Sequence, residues 1–244
     1  MTFYADISVA YDDLFPVSPA QRSLLENLRE EAKVRSVVDC GCGTGSQLLP
    51  FAAAGLACLG FDPDPSLVAV ARRKLAACPN TRIEEGAFAD LPRLTASPSD
   101  LLMCLGNSLV HVPAADVSRF LSDAAGALSP GGLMLLQILN YERLFREGVT
   151  ELPLIRSEDG SAELRRRYDW EDRRKVLFRT ALRLSTAEGP MIYRNEMPLF
   201  PLFPEELWEM IADAGFGDIR FFGDFARTGF SDESEAVVCL ARKA

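Results

Sequence analysis

Three glycines at alternate positions, Gly41, Gly43 and Gly45, follow an apolar segment that ends in Asp39. Glycine lets the backbone turn sharply and lets a ligand approach the main chain closely. A second apolar segment ends in Asp62, about 20 residues after the glycines, where a carboxylate can accept hydrogen bonds from both ribose hydroxyls. These residue types at this spacing predict a site for a nucleotide-type cofactor at the end of a strand.

The spacing of the glycines also separates the classes of cofactor. A dinucleotide fingerprint needs Gly-x-Gly-x-x-Gly, and its third glycine would fall at Ser46 or Leu48, depending on the register. This argues against a nicotinamide oxidoreductase. A phosphate-binding loop ends in Gly-Lys-Ser/Thr, and no lysine lies near these glycines. A glycine-rich turn without any ligand is the remaining alternative.

The arrangement Asp-x-Gly-x-Gly-x-Gly resembles motif I of the class I S-adenosylmethionine-dependent methyltransferases. The resemblance implies S-adenosylmethionine as the cofactor, S-adenosylhomocysteine as its product and a small-molecule methyl acceptor. It also implies which residues hold the cofactor: Asp39, Gly41, Cys42, Gly43, Thr44, Gly45, Asp62, Pro63, Ala87, Phe88, Cys104 and Leu105. The family often has Asp or Asn at the position of Ala87, so a side-chain acceptor for the adenine amino group is missing here.

The segments around these residues alternate between strand-like and helix-like patterns as far as Asn140. Strands are expected at 34–39, 56–61, 81–84, 101–105 and 133–139, and helices at 19–32, 46–54, 66–78 and 116–128. A turn is expected at 129–132. Such alternation predicts a parallel sheet with helices on both faces and ligands at the carboxyl ends of the strands.

After Asn140 the pattern changes to antiparallel strands at 164–170, 175–185 and 190–199, then a helix from 204 to 214 and strands at 219–222 and 236–241. The fold class is therefore α/β: Rossmann-like, doubly wound, with a mostly parallel seven-stranded sheet and an antiparallel insertion after the fifth strand. We expect one methyltransferase domain over 1–244. Its parts are an N-terminal lid and first helix at 1–33, a cofactor-binding core at 34–140, a substrate-side insertion at 141–203, and the final helix and last two strands at 204–244.

A closer resemblance, to the glycine and sarcosine N-methyltransferases and to the amino-sugar N,N-dimethyltransferases, lies in residues 104–111, 140–142 and 223–225. It implies N-methylation. The first group has an arginine before its Asn-Tyr pair to hold the substrate carboxylate, and Leu139 occupies that position here, which argues against glycine as the acceptor. O-methylation of a small acid or phenol and a catalytically silent cofactor-binding protein remain alternatives.

Three residues are candidates for catalysis: His111, Asn107 and Tyr11. His111 is the only histidine in the chain and could take a proton from an ammonium acceptor, or it could have a structural role. Asn107 could orient the substrate or the methionine part of the cofactor. Tyr11 lies, with Tyr4, in a segment that folds over the cofactor in this family, where a tyrosine face attracts a sulfonium; lid packing explains it equally well.

The composition limits the partners. A formal net charge of -9 argues against general nucleic-acid binding, although two basic clusters occur at 165–167 and 173–175, which we expect to face solvent. The six cysteines contain no Cys-x-x-Cys, so no metal site is predicted. Without a signal peptide or a membrane-spanning segment, a cytoplasmic enzyme is expected. A homo-oligomer is left open.

Overall fold

The computed structural model describes residues 7, 8 and 10–244. The predicted role of Tyr4 therefore lies outside the described residues. The strands are β1 Ser36–Cys40, β2 Ala57–Asp62, β3 Thr81–Glu85, β4 Ser99–Cys104, β5 Leu128–Leu139, β6 Glu151–Arg156, β7 Ala162–Asp172, β8 Lys175–Thr186, β9 Gly189–Leu199, β10 Phe216–Phe222 and β11 Ala236–Lys243. The α-helices are α1 Tyr11–Leu14, α2 Pro19–Glu31, α3 Leu49–Ala53, α4 Pro65–Lys74, α5 Leu91–Leu94, α6 Ala114–Ala127, α7 Tyr141–Arg146 and α8 Pro204–Asp213.

A seven-stranded sheet carries the strands in the order β10-β11-β5-β4-β1-β2-β3. Strands β3, β2, β1, β4 and β5 are parallel, whereas β11 runs antiparallel to both β5 and β10. The predicted fold class is confirmed. Because these five strands are parallel, their carboxyl ends lie at the same edge of the sheet, where ligands bind in open α/β folds.

The helices cover both faces of this sheet, which explains why its central strands are buried on both faces and mostly apolar. In β4, Leu102 and Cys104 belong to the apolar cluster on one face, while Leu101 and Met103 belong to the cluster on the other. This alternation follows from the two-residue period of a strand. The buried strand β4 therefore holds the chain segment that follows it in a fixed position.

A second, four-stranded sheet is antiparallel throughout, in the order β6-β7-β8-β9. Along β7, Leu164 and Tyr168 are buried, whereas Arg165 and Arg167 are exposed. Arg166 shares the face of Leu164 and Tyr168. The expectation that the whole basic cluster faces solvent is therefore wrong at Arg166.

Several elements differ from the expected ones. The helix after the glycines is shorter than 46–54, because residues 46–48 form turns and α3 begins only at Leu49. The expected turn at 129–132 lies within β5, where the pairing with β4 shifts register and Gly131 has a φ of 75°. A bulge of this kind lets a strand continue through a local turn. Helix α7 and strand β6 were not predicted.

The helices in the described part of the chain do not include one with the length and apolarity needed to cross a membrane.

Candidate active site

The loop after β1 brings the three predicted glycines onto the carboxyl edge of the sheet. Gly43 has a φ of 54°, and its N–H donates to Asp62 Oδ2 over 3.0 Å. A Cβ atom added to Gly45 would lie 2.9 Å from Leu75 Cδ1 and 3.3 Å from the Ala71 side chain. Glycine at these two positions therefore allows the turn and lets the loop pack against the region of α4.

Asp62 lies at the end of β2 and is 8% exposed. Its Oδ1 accepts from the Asp64 N–H over 2.9 Å, and its Oδ2 accepts from Gly43. Burial raises the pKa of Asp62, and the two backbone hydrogen bonds partly oppose that rise. An ionised carboxylate offers about four acceptor positions, so two remain open for ribose hydroxyls.

Asp39 lies in β1 and is completely buried, so it does not line a cavity. Neither of its carboxylate oxygens has a hydrogen-bond partner among residues 7, 8 and 10–244. Burial and, to a smaller extent, the charge of Asp62 raise its pKa to about 8. A positive charge bound nearby would favour the ionised form of this carboxyl group. The site therefore fits a cationic ligand that carries a ribose.

A cavity of about 420 Å³ lies beside the glycine loop. Its walls are the loop, the segment after β4, helix α1 and the inner face of the second sheet. Of the predicted site residues, it brings together Tyr11, Gly41, Cys42, Thr44, Leu105, Asn107 and His111. The others do not line it: Asp39, Gly43, Gly45, Asp62, Pro63, Ala87, Phe88 and Cys104.

The predicted adenine-binding residues lie on the loop after β3. Ala87 is exposed, and its N–H donates to Asp90 Oδ2 over 2.9 Å. The Phe88 ring packs against Phe120, with 4.6 Å between the ring centroids, and also approaches the glycine loop at Gly41. Phe88 therefore joins the hydrophobic core to the cofactor edge of the sheet.

Asn107 uses its side chain to join three parts of the site. It adopts the left-handed conformation, with a φ of 65°, which asparagine tolerates better than most residues. Its Nδ2 donates to Tyr141 Oη over 2.9 Å, and its Oδ1 accepts from the Leu139 N–H over 3.0 Å. Tyr141 Oη lies 3.3 Å from Tyr168 Oη, so the chain of contacts reaches β7. These bonds connect the segment after β4 to the end of β5 and the start of α7.

His111 ends a short 3-10 helix, Ser108–His111, and lines the cavity. Burial disfavours the charged imidazolium and lowers the pKa of His111 to about 4. The side chain is therefore neutral at pH 7.

A polar cluster that sequence reasoning missed fastens α1 to the glycine loop. Lys74 Nζ donates to Asp12 Oδ2 over 2.5 Å, to Ser46 Oγ over 2.6 Å and to Thr44 Oγ1 over 3.0 Å. Ser46 Oγ also donates to Asp12 Oδ1 over 2.8 Å. Burial alone would raise the pKa of Asp12, but hydrogen bonds from Lys74, Thr44 and Ser46 bring it below its ordinary value. We call Asp12, Thr44, Ser46 and Lys74 the α1 latch.

The latch holds the Tyr11 ring over the glycine loop. A Cβ atom on Gly43 would lie 3.5 Å from both Cε1 and Oη of Tyr11. Asp12 and Lys74 are 62 residues apart in the chain, and no local pattern in the sequence connects them.

Comparisons with known proteins agree with this geometry. The family model described as "Methyltransferase domain" matches residues 37–132. A glycine/sarcosine N-methyltransferase of Parasynechococcus marenigrum (strain WH8102) is 25% identical over 210 residues, which cover 85% of this chain and 72% of that protein. The glycine N-methyltransferase of Mus musculus is 30% identical over 138 residues, but these cover only 51% of this chain and 47% of that protein.

Among solved structures, the CcbJ methyltransferase of Streptomyces caelestis matches with a TM-score of 0.80 and 25% identity, covering 100% of this chain and 98% of that one. An S-adenosylmethionine-dependent methyltransferase of Clostridium acetobutylicum ATCC 824 shares the fold, with a TM-score of 0.81, 15% identity and 99% coverage of each chain. Residues 37–132 therefore match a methyltransferase domain, and the sheet order and these neighbours give the chain the fold of an S-adenosylmethionine-dependent methyltransferase.

Proposed function

We propose that the protein transfers the methyl group of S-adenosylmethionine to an amine nitrogen of a small molecule. The observation that carries this proposal is the cavity itself, which runs from the glycine loop to the second sheet and is lined by an uncharged His111. The name of the related glycine/sarcosine N-methyltransferase supports nitrogen as the acceptor atom. The cofactor supplies a methyl group on a positively charged sulfur, so the leaving group needs no acid.

The residues of this chain have mainly to bind and align the two reactants. Asp62 would accept hydrogen bonds from the ribose hydroxyls, and the N–H groups of the glycine loop would border the rest of the cofactor. Tyr11, held by the α1 latch, would cover the loop and keep water away. Holding the reacting atoms in line can lower a barrier by roughly 7–11 kcal/mol, so alignment alone can account for much of the rate.

The low pKa of His111 weighs against its role as a proton acceptor. A proton transferred from an alkylammonium group, whose ordinary pKa is about 10, to an imidazole with a pKa of about 4 costs about 8 kcal/mol. We infer that the acceptor loses its proton to water and enters as the neutral amine. His111 then contributes an uncharged wall that does not repel the positively charged cofactor.

Residues 1–33 would act as the lid and 141–203 as the substrate side of one domain, because α1 and the second sheet both border the cavity. The six free cysteines support a reducing, cytoplasmic setting.

The proposal is tested by a methylation assay with S-adenosylmethionine and a panel of primary and secondary amines, small carboxylic acids and phenols. Mass spectrometry identifies both S-adenosylhomocysteine and the methylated product. We expect N-methylated products from amines. O-methylated acids or phenols without any N-methylated amine would contradict the proposal. Cofactor binding without product from any acceptor would instead favour a catalytically silent binding protein.

A further inference from the structure

One charged side chain of the second sheet projects towards the cavity. Leu164, Arg166 and Tyr168 alternate along β7 and all line the cavity, whereas Arg165 and Arg167 between them are exposed. Among the described residues that line this cavity, Arg166 is the only arginine or lysine. The other residues of the second sheet that line the cavity are apolar or aromatic, and the buried Thr180, opposite Arg166 on β8, carries no charge. The guanidinium is therefore a localised positive charge in the acceptor wall.

Arg166 lacks the acidic partner that Arg167 and Arg179 have. Its Nη2 donates to the Pro153 carbonyl oxygen over 3.1 Å, and no carboxylate of the described chain lies within ion-pair distance. Its Nε is buried without a hydrogen-bond partner in the same set of residues. On the exposed face, Arg167 pairs with Asp169 at 2.8 Å and Arg179 pairs with Glu196 at 2.7 Å.

Burial has a chemical consequence for this guanidinium. It lowers the pKa of Arg166, yet an arginine remains charged at any physiological pH. A half-buried charge without a counter-ion is unfavourable unless a bound group supplies the opposite charge. The Nε–H and the free Nη N–H groups of a guanidinium form a planar fork that matches the two oxygens of a carboxylate or phosphate.

We propose that Arg166 binds an anionic group, a carboxylate or a phosphate, on the methyl acceptor. The acceptor would then be a small amine that carries this anion at the end remote from the glycine loop. This inference rests on the proposed function and narrows its substrate class, because a neutral amine of the same size would leave Arg166 unpaired in the cavity.

A binding experiment tests the anion site without any methylation. Protein labelled with ¹⁵N-arginine and loaded with S-adenosylhomocysteine is titrated with acetate and, separately, with inorganic phosphate, with chloride as the control for ionic strength. The Arg166 Nε–H signal is assigned by its absence from the Arg166→Lys and Arg166→Met variants. We expect a saturable shift of this signal with one of the two anions, and the responding anion distinguishes carboxylate from phosphate. No shift beyond that with chloride would overturn the proposal.

A kinetic experiment tests the link to the acceptor. Amino acids are compared with their carboxamides, and aminoalkyl phosphates with the corresponding amino alcohols, in the parent protein and in Arg166→Met. Charge-assisted hydrogen bonds lead us to expect a loss of kcat/KM of about 10-fold or more for the anionic amines, mainly through a higher KM. The neutral amines should change little, and Arg165→Met, on the exposed face, should match the parent.

The two proposals fail in different ways. The role of Arg166 is overturned, while N-methylation stands, by either of two results. The first is that the parent protein methylates the neutral amines better than the anionic ones. The second is that Arg166→Met lowers kcat/KM equally for both members of each pair. If no amine is methylated, N-methylation fails, and the titration still decides whether Arg166 binds an anion. The melting temperature and S-adenosylhomocysteine affinity of each variant check that the fold and the cofactor site are intact.

Discussion

Replacing Lys74 with Met should loosen α1 and speed the release of bound cofactor. Lys74 contacts Asp12, Thr44 and Ser46, and its side chain is 22% exposed against 41% for Asp12. Tyr11, which lies in the same short helix as Asp12, covers the glycine loop, so a cofactor in the proposed site can leave only after α1 lifts. The variant removes the cation but keeps a side chain of similar length.

The size of the effect follows from the environment of the latch. Hydrogen bonds to charged groups contribute about 1.5–3 kcal/mol when they are well shielded, and exposed ion pairs contribute at most about 1 kcal/mol. With Asp12 partly exposed, we expect Lys74→Met to lower the free energy of opening by about 1–2 kcal/mol. The dissociation rate should then rise roughly 5- to 30-fold, because release scales with the population of the open state.

The dissociation rate is measured by chasing radiolabelled S-adenosylmethionine with an excess of unlabelled cofactor. Arg73→Met is the matched control, because Arg73 is the preceding residue of the same helix and is exposed. Asp12→Asn and the double variant complete a mutant cycle, in which the two single changes should not be additive. The reasoning is refuted if the dissociation rate of Lys74→Met lies within two-fold of that of Arg73→Met. It is also refuted if the effects of Lys74→Met and Asp12→Asn on this rate are strictly additive in free energy.

Three further predictions concern the cofactor and acceptor sides of the site. Asp62→Asn should weaken S-adenosylmethionine binding roughly 10- to 100-fold in calorimetry, because hydrogen bonds from the ribose to a charged carboxylate are lost. The control is Glu85→Gln, at an exposed neighbour on β3, and it should leave the affinity unchanged. His111→Gln should leave the shape of the pH profile of kcat/KM unchanged. In both proteins kcat/KM should rise tenfold per pH unit up to the pKa of the acceptor amine. If the parent profile shows an inflection that the variant lacks, His111 is the base. The pKa of Asp39 is about 8 in the folded protein, against an ordinary value of 3.8. Between pH 3.8 and 8 the folded protein therefore binds more protons than the unfolded protein, and its free energy of unfolding falls as the pH rises through this range. Urea unfolding should show that Asp39→Asn lacks this loss; parallel pH curves for parent and variant would contradict it.

The cofactor edge of the fold could be predicted because its signals are local. Residues 36–45 and 57–62 each combine a short apolar strand with an adjacent acidic residue or glycine turn, and such patterns depend on neighbours a few positions away. That Asp62 and the glycines lie at one edge of the sheet follows once the strands are parallel.

The acceptor side was harder to predict because its contacts join distant segments. The α1 latch depends on a pair 62 residues apart, and the bonds of Asn107 reach Leu139 and Tyr141. Strand β6 contains Pro153, which weakens a strand pattern and is tolerated because β6 is an edge strand. The sequence does indicate the inward direction of Arg166. In a strand every second residue lies on the same face, and Arg166 stands two residues from both Leu164 and Tyr168, which are suited to a buried face.

The position of α1 has a consequence for the order in which ligands bind. Tyr11 and Phe15 both line the cavity, and the Tyr11 ring also covers the glycine loop, so one short helix borders both the acceptor space and the cofactor site. The acceptor wall includes residues of α1 and is complete only when α1 is docked, and we expect a docked α1 to obstruct the entry and release of the cofactor. We therefore expect a sequential kinetic mechanism, in which the cofactor binds first and S-adenosylhomocysteine leaves last.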